Sequence, residues 1–282
     1  MSADEPLFAS QGGAGSSRGD GESRPRVGLV IPALDEEEAL PLVLAELPPG
    51  LVDRVVVVDN GSTDGTAGVA REAGAEVVHE PRRGYGQACL AGLARLFGPG
   101  DPEGGAAPLD GARDVVVFLD ADHSDYPEDL PRVLAPVLED RAELCIGSRI
   151  LGGASLGALL PQAWFGNRLA CLLMRLLFGA RYTDLGPFRA IRADALRALA
   201  MGDRDFGWTI EMQLKAHTTG LRVVEVPVRY RARIGSSKIT GTLAGTLRAG
   251  WKIVGWILAW RLKLLFSRPG SPSSPAAPPS AR

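Results

Sequence analysis

The sequence predicts an α/β fold built on a mainly parallel sheet with helices on both faces. Three observations carry this. The apolar runs at 55–58 ("VVVV") and 115–119 ("VVVFL") are continuous rather than alternating, the pattern of strands buried on both faces. Each run is followed by a segment with helical apolar spacing. Acidic residues stand directly after both runs and after the apolar stretch that ends at Leu34, where the carboxyl ends of parallel strands form ligand crevices. With 282 residues, 45% of them hydrophobic, the chain can bury one large core, alone or with an appendage.

The elements follow in order. "RVGLVIPAL" (26–34) is the first strand, and Glu36 to Leu47 reads as a helix whose acidic first turn suits the positive end of its dipole. "RVVVVDN" (54–60) is the second strand, followed by a helix that Ser62 or Thr63 can cap and Gly74 can stop. "AEVVHE" (75–80) is the third strand, and Gly86 to Phe97 the third helix. The Gly/Pro-rich stretch from Gly98 to Arg113 is a surface loop. "DVVVFLD" (114–120) is the fourth strand, Pro127 to Glu139 a helix with proline at a tolerated first position, and "ELCIGSR" (143–149) the fifth strand. An apolar helix at 159–179, interrupted by Arg168 and Arg175, suits a core element or an acceptor-channel wall better than a membrane span. "DLGPFRAIR" (184–192) turns into a short strand, 207–220 is a helix with a half-buried face, and "RVVEVPV" (222–228) is a strand that leads into the basic loop "RYRARIGSSK" (229–238).

Both ends read as disordered tails. Residues 1–25 are rich in Gly, Ser and charge and lack the apolar core of a secretory signal, and 267–282 is Pro/Ser/Ala low complexity. Between the domain at 26–240 and the second tail, 241–266 reads as an amphipathic helix. Its longest uncharged run near the end, Ile253 to Trp260, is far short of the roughly 20 residues that span a bilayer. Arg248, Lys252 and Lys263 on one face and Ile253, Ile257, Trp260 and Leu264 on another, a division that Arg261 interrupts, suit a helix lying in a membrane interface or packed on the domain. The expected location is the cytoplasm, with a peripheral position at the inner face of the membrane.

Charge and cysteine usage narrow the chemistry. A formal net charge of -2 gives no global footprint for nucleic acid, so any anionic partner must be held by local basic clusters. Three scattered cysteines, Cys89, Cys145 and Cys171, an odd count without CxxC spacing, argue against a disulfide framework or zinc site and suit small buried hydrophobes of a reducing compartment. "GYGQAC" lacks the third glycine of a dinucleotide fingerprint and "GSTDGT" lacks a P-loop lysine.

The acids at the strand ends are the informative feature. Asp35 and Glu36, Asp59 and Asn60, and Asp120 and Asp122 follow strands one, two and four, so they converge on one sheet edge. Such a cluster repels itself without a cation among it. Carboxylates without neighbouring His or Cys suit Mg2+ or Mn2+, and the D-x-D spacing puts Asp120 and Asp122 on one side of an extended chain. The four cationic side chains, serines and glycine of 229–238 form a plausible phosphate clamp.

Taken in order, "VIPALDEEEAL", "VVVVDNGSTDGT", "FLDADHSDYPEDLP", "GSR", "TDLGPFRAIRADAL", "FGWTIEMQLKA" and "VPVRYRARIGSSKI" resemble family-2 glycosyltransferases with the GT-A fold, and within them the dolichyl- and polyprenyl-phosphate mannosyl- and glucosyltransferase branch. The resemblance spans about residues 26 to 266. It implies that Pro32, Asp35 and Glu36 border a nucleotide, that Asp59 recognises its base, and that Asp120 and Asp122 hold Mg2+ or Mn2+ and through it the diphosphate of a UDP- or GDP-hexose. Arg149, Asp184 and Glu211 fall on the acceptor side as the catalytic candidates, Asp184 and Glu211 as bases that activate or orient the acceptor, and Arg189, Arg233, Ser236 and Lys238 among the phosphate-gripping motifs. It further implies transfer to a polyprenyl phosphate with inversion. Asn60 stands where many members have a second aspartate, Tyr85 where lysine is frequent, Asp35 for a common asparagine, and "HSDYP" for a commoner Leu-Gln-His-Pro turn. Two other readings are a soluble hydroxyl acceptor and a nucleotide-sugar binding protein without catalysis.

Overall fold

The computed structural model describes residues 24–99, 107–154, 161–235, 254–255 and 257–262. Ser236, Lys238 and most of the helix expected at 241–266 lie outside them. In chain order the elements are β1 (Val27–Ala33), α1 (Leu40–Ala45), β2 (Arg54–Asp59), α2 (Thr66–Glu72), β3 (Glu76–His79), α3 (Tyr85–Phe97), β4 (Val115–Phe118), α4 (Leu130–Leu138), β5 (Leu144–Ser148), α5 (Pro161–Phe178), β6 (Arg189–Arg192), α6 (Ala193–Leu199), α7 (Trp208–Thr218) and β7 (Val223–Pro227). The strands form one sheet in the order β3-β2-β1-β4-β6-β5-β7. All pairings are parallel except those of β6, which runs antiparallel to β4 and β5.

Side-chain alternation divides the core into two layers. Leu29, Ile31, Val55, Val57, Val115 and Val117 meet Leu40, Val43, Leu44, Val133 and Leu134 of α1 and α4. Val30, Val56, Val58, Val116 and Phe118 meet α3, α6 and α7 through Ala88, Leu96, Leu196, Trp208 and Met212. Because both faces are covered, every residue of β2 and β4 is buried, which is why residues 55–58 and 115–118 are unbroken apolar runs. Order reverses on either side of β1: the chain crosses to β2 on one side and later to β4 on the other. The crevice at their carboxyl ends is the ligand position of an open α/β sheet.

Several boundaries differ from the sequence expectation. α1 begins at Leu40, not Glu36, because the turn before it is tied sideways to the loop after β2. Asp35, at φ 51, donates its N–H to Ser62 Oγ, Glu36 to Thr66 Oγ1, and Glu37 to Asp64 Oδ2. Ser62 and Thr63 do not cap α2, whose cap position is Gly65; Asp64 Oδ1 accepts the Thr66 N–H instead. Pro127–Asp129 is a 3-10 turn leading into α4, and α6 is an additional helix directly after β6. Beyond β7, residues 254–255 and 257–262 are helical. Ile257 is buried with Ala170, Cys171, Met174, Ile210 and Leu214, so this portion packs on α5 and α7. Among the described residues no helix is long and apolar enough to cross a membrane. The three cysteines are free and buried.

Candidate active site

A cavity of about 590 Å³ opens at the carboxyl ends of β1, β2 and β4, within the size range of small-molecule sites. Pro32 and Glu36 line it from the β1 loop, Asp120 and Asp122 from the β4 loop, Arg83 to Tyr85 from the start of α3, and Arg233 from the segment after β7. Of the residues expected at the site, it therefore gathers Pro32, Glu36, Asp120, Asp122 and Arg233.

The D-x-D pair is held by short-range hydrogen bonds. Asp120 Oδ1 accepts the Tyr85 hydroxyl at 3.0 Å. Asp122 Oδ1 accepts the Ser124 backbone N–H at 3.0 Å and its hydroxyl at 2.5 Å, while Oδ2 lies 3.2 Å from Arg233 Nη1. Arg233 Nη2 donates to Glu36 Oε1 at 2.9 Å, so one guanidinium joins the β1 and β4 loops across the cavity. Burial, followed by the neighbouring Asp122 charge, pushes the Asp120 carboxyl up to about 7 despite the Tyr85 hydrogen bond and the charges of Arg149 and Arg233. A carboxylate so raised is one whose burial and like-charged neighbour outweigh the counter-charge around it, and it gains most from a cation.

This donor set fits a hard divalent ion. Asp120 and Asp122 offer oxygen ligands only, and among the described residues no group of three or more His, Cys, Asp or Glu side chains is arranged to hold a metal on protein ligands alone. Mg2+ typically takes one or two carboxylates and completes its shell with phosphate and water, which two carboxylates beside an open cavity satisfy.

The loop after β2 is a framework rather than an open contact surface. Asn60 donates its amide to Glu80 O at 2.9 Å and Arg82 O at 2.8 Å, and its Oδ1 accepts the Gly84 N–H at 2.8 Å. An aspartate cannot donate those two bonds, which gives the departure from the family pattern a physical reason. Asp59 does not line the cavity. Its carboxylate accepts the Ser62 N–H at 2.8 Å and lies 3.0 Å from His79 Nδ1; burial raises its pKa, but these bonds more than offset it and hold the group below the ordinary range. Asp35 likewise does not line the cavity, and its Oδ1 accepts the Thr63 N–H at 2.7 Å.

The start of α3 is closed by the segment before α7. Gly86 and Gln87 donate their N–H groups to Asp205 O and Arg204 O. Gly84, at φ 145, and Gly86 permit this approach, since a Cβ on either would lie 2.2 Å from a backbone oxygen of Arg204 or Asp203. Asp205 and Phe206 thereby reach the cavity wall. Sequence reading missed both; their position directly before "GWTIEMQ" was the available signal.

The acceptor-side residues are placed differently from the expectation. Asp184 is fully buried and takes three donations from Arg149: the backbone N–H and Nε at 2.8 Å to Oδ2, and Nη2 at 2.7 Å to Oδ1. A carboxylate engaged this way orients Arg149. Burial opposes the Arg149 charge, but Asp184 more than compensates and holds its pKa above the ordinary value. Arg149 also stands 5.1 Å from the Tyr230 ring centroid. Glu211 anchors the chain between α6 and α7 by accepting the N–H groups of Gly202 and Asp203 and pairing with Lys215 at 2.8 Å. Arg189 is fully buried and hydrogen-bonded to the carbonyls of Leu185, Gly186 and Thr209, and burial lowers its pKa to about 10. Neither Glu211 nor Arg189 lines the cavity.

The basic segment is also partly committed. Arg229 pairs with Asp129 and Glu128, Arg231 pairs with Glu46 at 2.5 Å, and the two guanidiniums stand 4.4 and 4.2 Å from the Tyr126 ring centroid. Within 229–235, only Arg233 lines the cavity. Asp125, three residues beyond Asp122, is 2% exposed, and among the described residues neither of its carboxylate oxygens has a hydrogen-bond partner. Burial and the neighbouring Asp120 raise its pKa well above the carboxylate range.

An open, mostly parallel sheet with paired carboxylates at its switch point and an antiparallel strand beside β4 is the GT-A fold of the glycosyltransferases. Residues 29–200 match the model of glycosyl transferase family 2, and the chain belongs to that family. It is 37% identical over 238 residues to an uncharacterised glycosyltransferase of Mycobacterium tuberculosis (strain ATCC 25618 / H37Rv), covering 81% of this chain and 97% of that one. It is 35% identical over 261 residues to the undecaprenyl-phosphate mannosyltransferase of Micrococcus luteus, covering 87% of this chain and 99% of that one. Among solved structures it resembles glucosyl-3-phosphoglycerate synthase from Mycobacterium tuberculosis in complex with Mn2+, UDP and glucosyl-3-phosphoglycerate, with a TM-score of 0.62, 22% identity, and coverage of 84% of this chain and 80% of that one.

Proposed function

We propose that this glycosyltransferase moves a hexose from a UDP- or GDP-hexose to a polyprenyl phosphate, with inversion, at the cytoplasmic face of a membrane. The observation that carries the reading is the cavity in which Asp120 and Asp122 stand opposite the Arg233 guanidinium. The similarity over nearly the full length to an undecaprenyl-phosphate mannosyltransferase supports the acceptor class.

Asp120 and Asp122 would hold Mg2+ or Mn2+, which supplies positive charge to the donor diphosphate when bound. Arg233 adds a second positive charge within the same cavity, where negative charge develops on the leaving diphosphate. The turn 34–37, tied to 62–66, and the α3 start, closed by 203–206, hold the nucleotide walls in place before substrate arrives. Arg149, oriented by Asp184, is the cation for the acceptor phosphate. That phosphate is already ionised at neutral pH, so transfer to it requires no strong general base, in keeping with a buried Asp184 bound to arginine.

The test is transfer of labelled hexose from each UDP- and GDP-sugar to undecaprenyl phosphate in detergent, with Mg2+, Mn2+ or chelator. Metal-dependent formation of a lipid-linked monosaccharide supports the reading. Transfer to a soluble hydroxy acid or sugar but not to the lipid overturns the acceptor assignment, and nucleotide binding without any product overturns the catalytic one.

A further inference from the structure

Among the described residues seven large apolar side chains are exposed, and five of them lie on just two helical segments that share one small core: Phe165, Leu172 and Leu176 on α5, and Leu258 and Leu262 in 257–262. At 100° per residue the three α5 side chains fall within about 40° of arc, and Phe165 and Leu176 are 65% and 69% exposed. Asn167, Ala170 and Met174 on the opposite side of the helix are buried. α5 is therefore a helix with two apolar faces, one in the core and one outward.

The charge beside the outer face has one sign. α5 contains no Asp or Glu, and its Arg168 and Arg175 are exposed next to the stripe. Trp164 and Arg168 stack at 4.7 Å. The chain as a whole is slightly acidic, so this concentration is local. An apolar ridge bordered by arginine matches the acyl boundary and anionic headgroups of a lipid surface. A second copy of the chain suits it less, since an antiparallel two-fold contact about the stripe would bring the arginines of one protomer toward those of the other.

The same helix is fastened to the acceptor side of the site. Asn167 donates to Thr183 O at 3.3 Å and accepts the Leu185 N–H at 2.8 Å, bracketing Asp184, which in turn holds Arg149. A surface carried by α5 is thus linked, through Asn167 and the 183–185 turn, to the arginine assigned to the acceptor phosphate.

We infer that the outer face of α5, continued by 257–262, is the docking surface for an anionic lipid bilayer, and that it delivers a lipid-borne acceptor to Arg149. This rests on the polyprenyl-phosphate reading for its purpose, but not for its test. The full chain is sedimented with vesicles of phosphatidylcholine alone and of phosphatidylcholine with phosphatidylglycerol, alongside Leu172→Glu/Leu176→Glu and Arg168→Gln/Arg175→Gln. Both pairs are exposed, and nucleotide-dependent thermal shift checks that the fold and donor site persist. Wild type should bind the anionic vesicles. The leucine pair should lower the partition coefficient roughly tenfold or more, and the arginine pair should remove most of the preference for anionic over neutral vesicles. Unchanged binding in the leucine variant overturns the inference, as does a wild-type protein that binds no vesicle or a stripe whose substitution splits a stable dimer. Lipid glycosylation in detergent without vesicle binding refutes the docking surface alone. Vesicle binding through α5 with transfer only to soluble acceptors refutes the acceptor reading alone.

Discussion

Asp120→Asn isolates the electrostatic cost built into the site. The Asp120 carboxyl rises from an ordinary 3.8 to about 7 because burial and Asp122 disfavour its ionised form. A folded-state pKa above the unfolded one means that the group's stabilising contribution is complete below the unfolded value and is lost as pH rises through the folded value. The loss accumulates between about pH 4 and pH 7 and levels off above. Three pKa units correspond to about 4 kcal/mol as an upper bound, and relaxation around the coupled Asp120–Asp122 pair reduces this to about 1–3 kcal/mol. Asparagine keeps the shape and an oxygen for the Tyr85 hydroxyl but cannot ionise. In chelator, the variant should therefore be more stable than wild type by that amount at pH 8, about 3–10 °C in Tm, with the difference shrinking toward pH 4. Other titrating groups are common to both proteins, so the difference between their pH profiles reports Asp120. Added Mn2+ with nucleotide should raise the wild-type Tm at pH 8 far more than that of the variant. Parallel pH profiles in chelator, or equal metal shifts in both proteins, would refute the reasoning.

Other substitutions test the framework. Asn60→Asp removes the donors to Glu80 O and Arg82 O at a residue 5% exposed, and should cost about 2–4 kcal/mol in urea denaturation and weaken nucleotide binding. Asp184→Asn leaves Arg149 without its charge partner and should destabilise by about 3–5 kcal/mol, while the donor-dependent thermal shift of the remaining folded protein persists. Gly86→Ala places a methyl 2.2 Å from Asp203 O, so the 203–206 wall must move; a loss of about 1–3 kcal/mol with a raised donor KM is expected, and an unaltered KM would remove Phe206 and Asp205 from the donor site.

Legibility in the sequence followed distance along the chain. The order and type of the strands were readable because burial on both faces demands continuous apolar runs, and Asp120 and Asp122 were readable because they directly continue β4. α6 was harder to see: its seven residues follow β6 without an intervening loop, and their apolar positions merge with those of the strand. The antiparallel direction of β6 leaves no mark in so short a strand and appears only in the register that sets Phe118 against Arg189.

The sequence by itself determined the layered α/β core, the carboxylate pair at its switch point and the family to which the chain belongs, since each depends on residues close together or in fixed order. Tertiary structure alone decided what the charged residues do. Asp184 and Arg149 are 35 residues apart and Arg233 and Glu36 are 197 apart. Arginines at 229, 231 and 233 look alike in the chain, yet two face acids outside the cavity and one faces Asp122 within it. A charge's role is set by the partner within a few ångströms, and strand register and loop packing choose that partner.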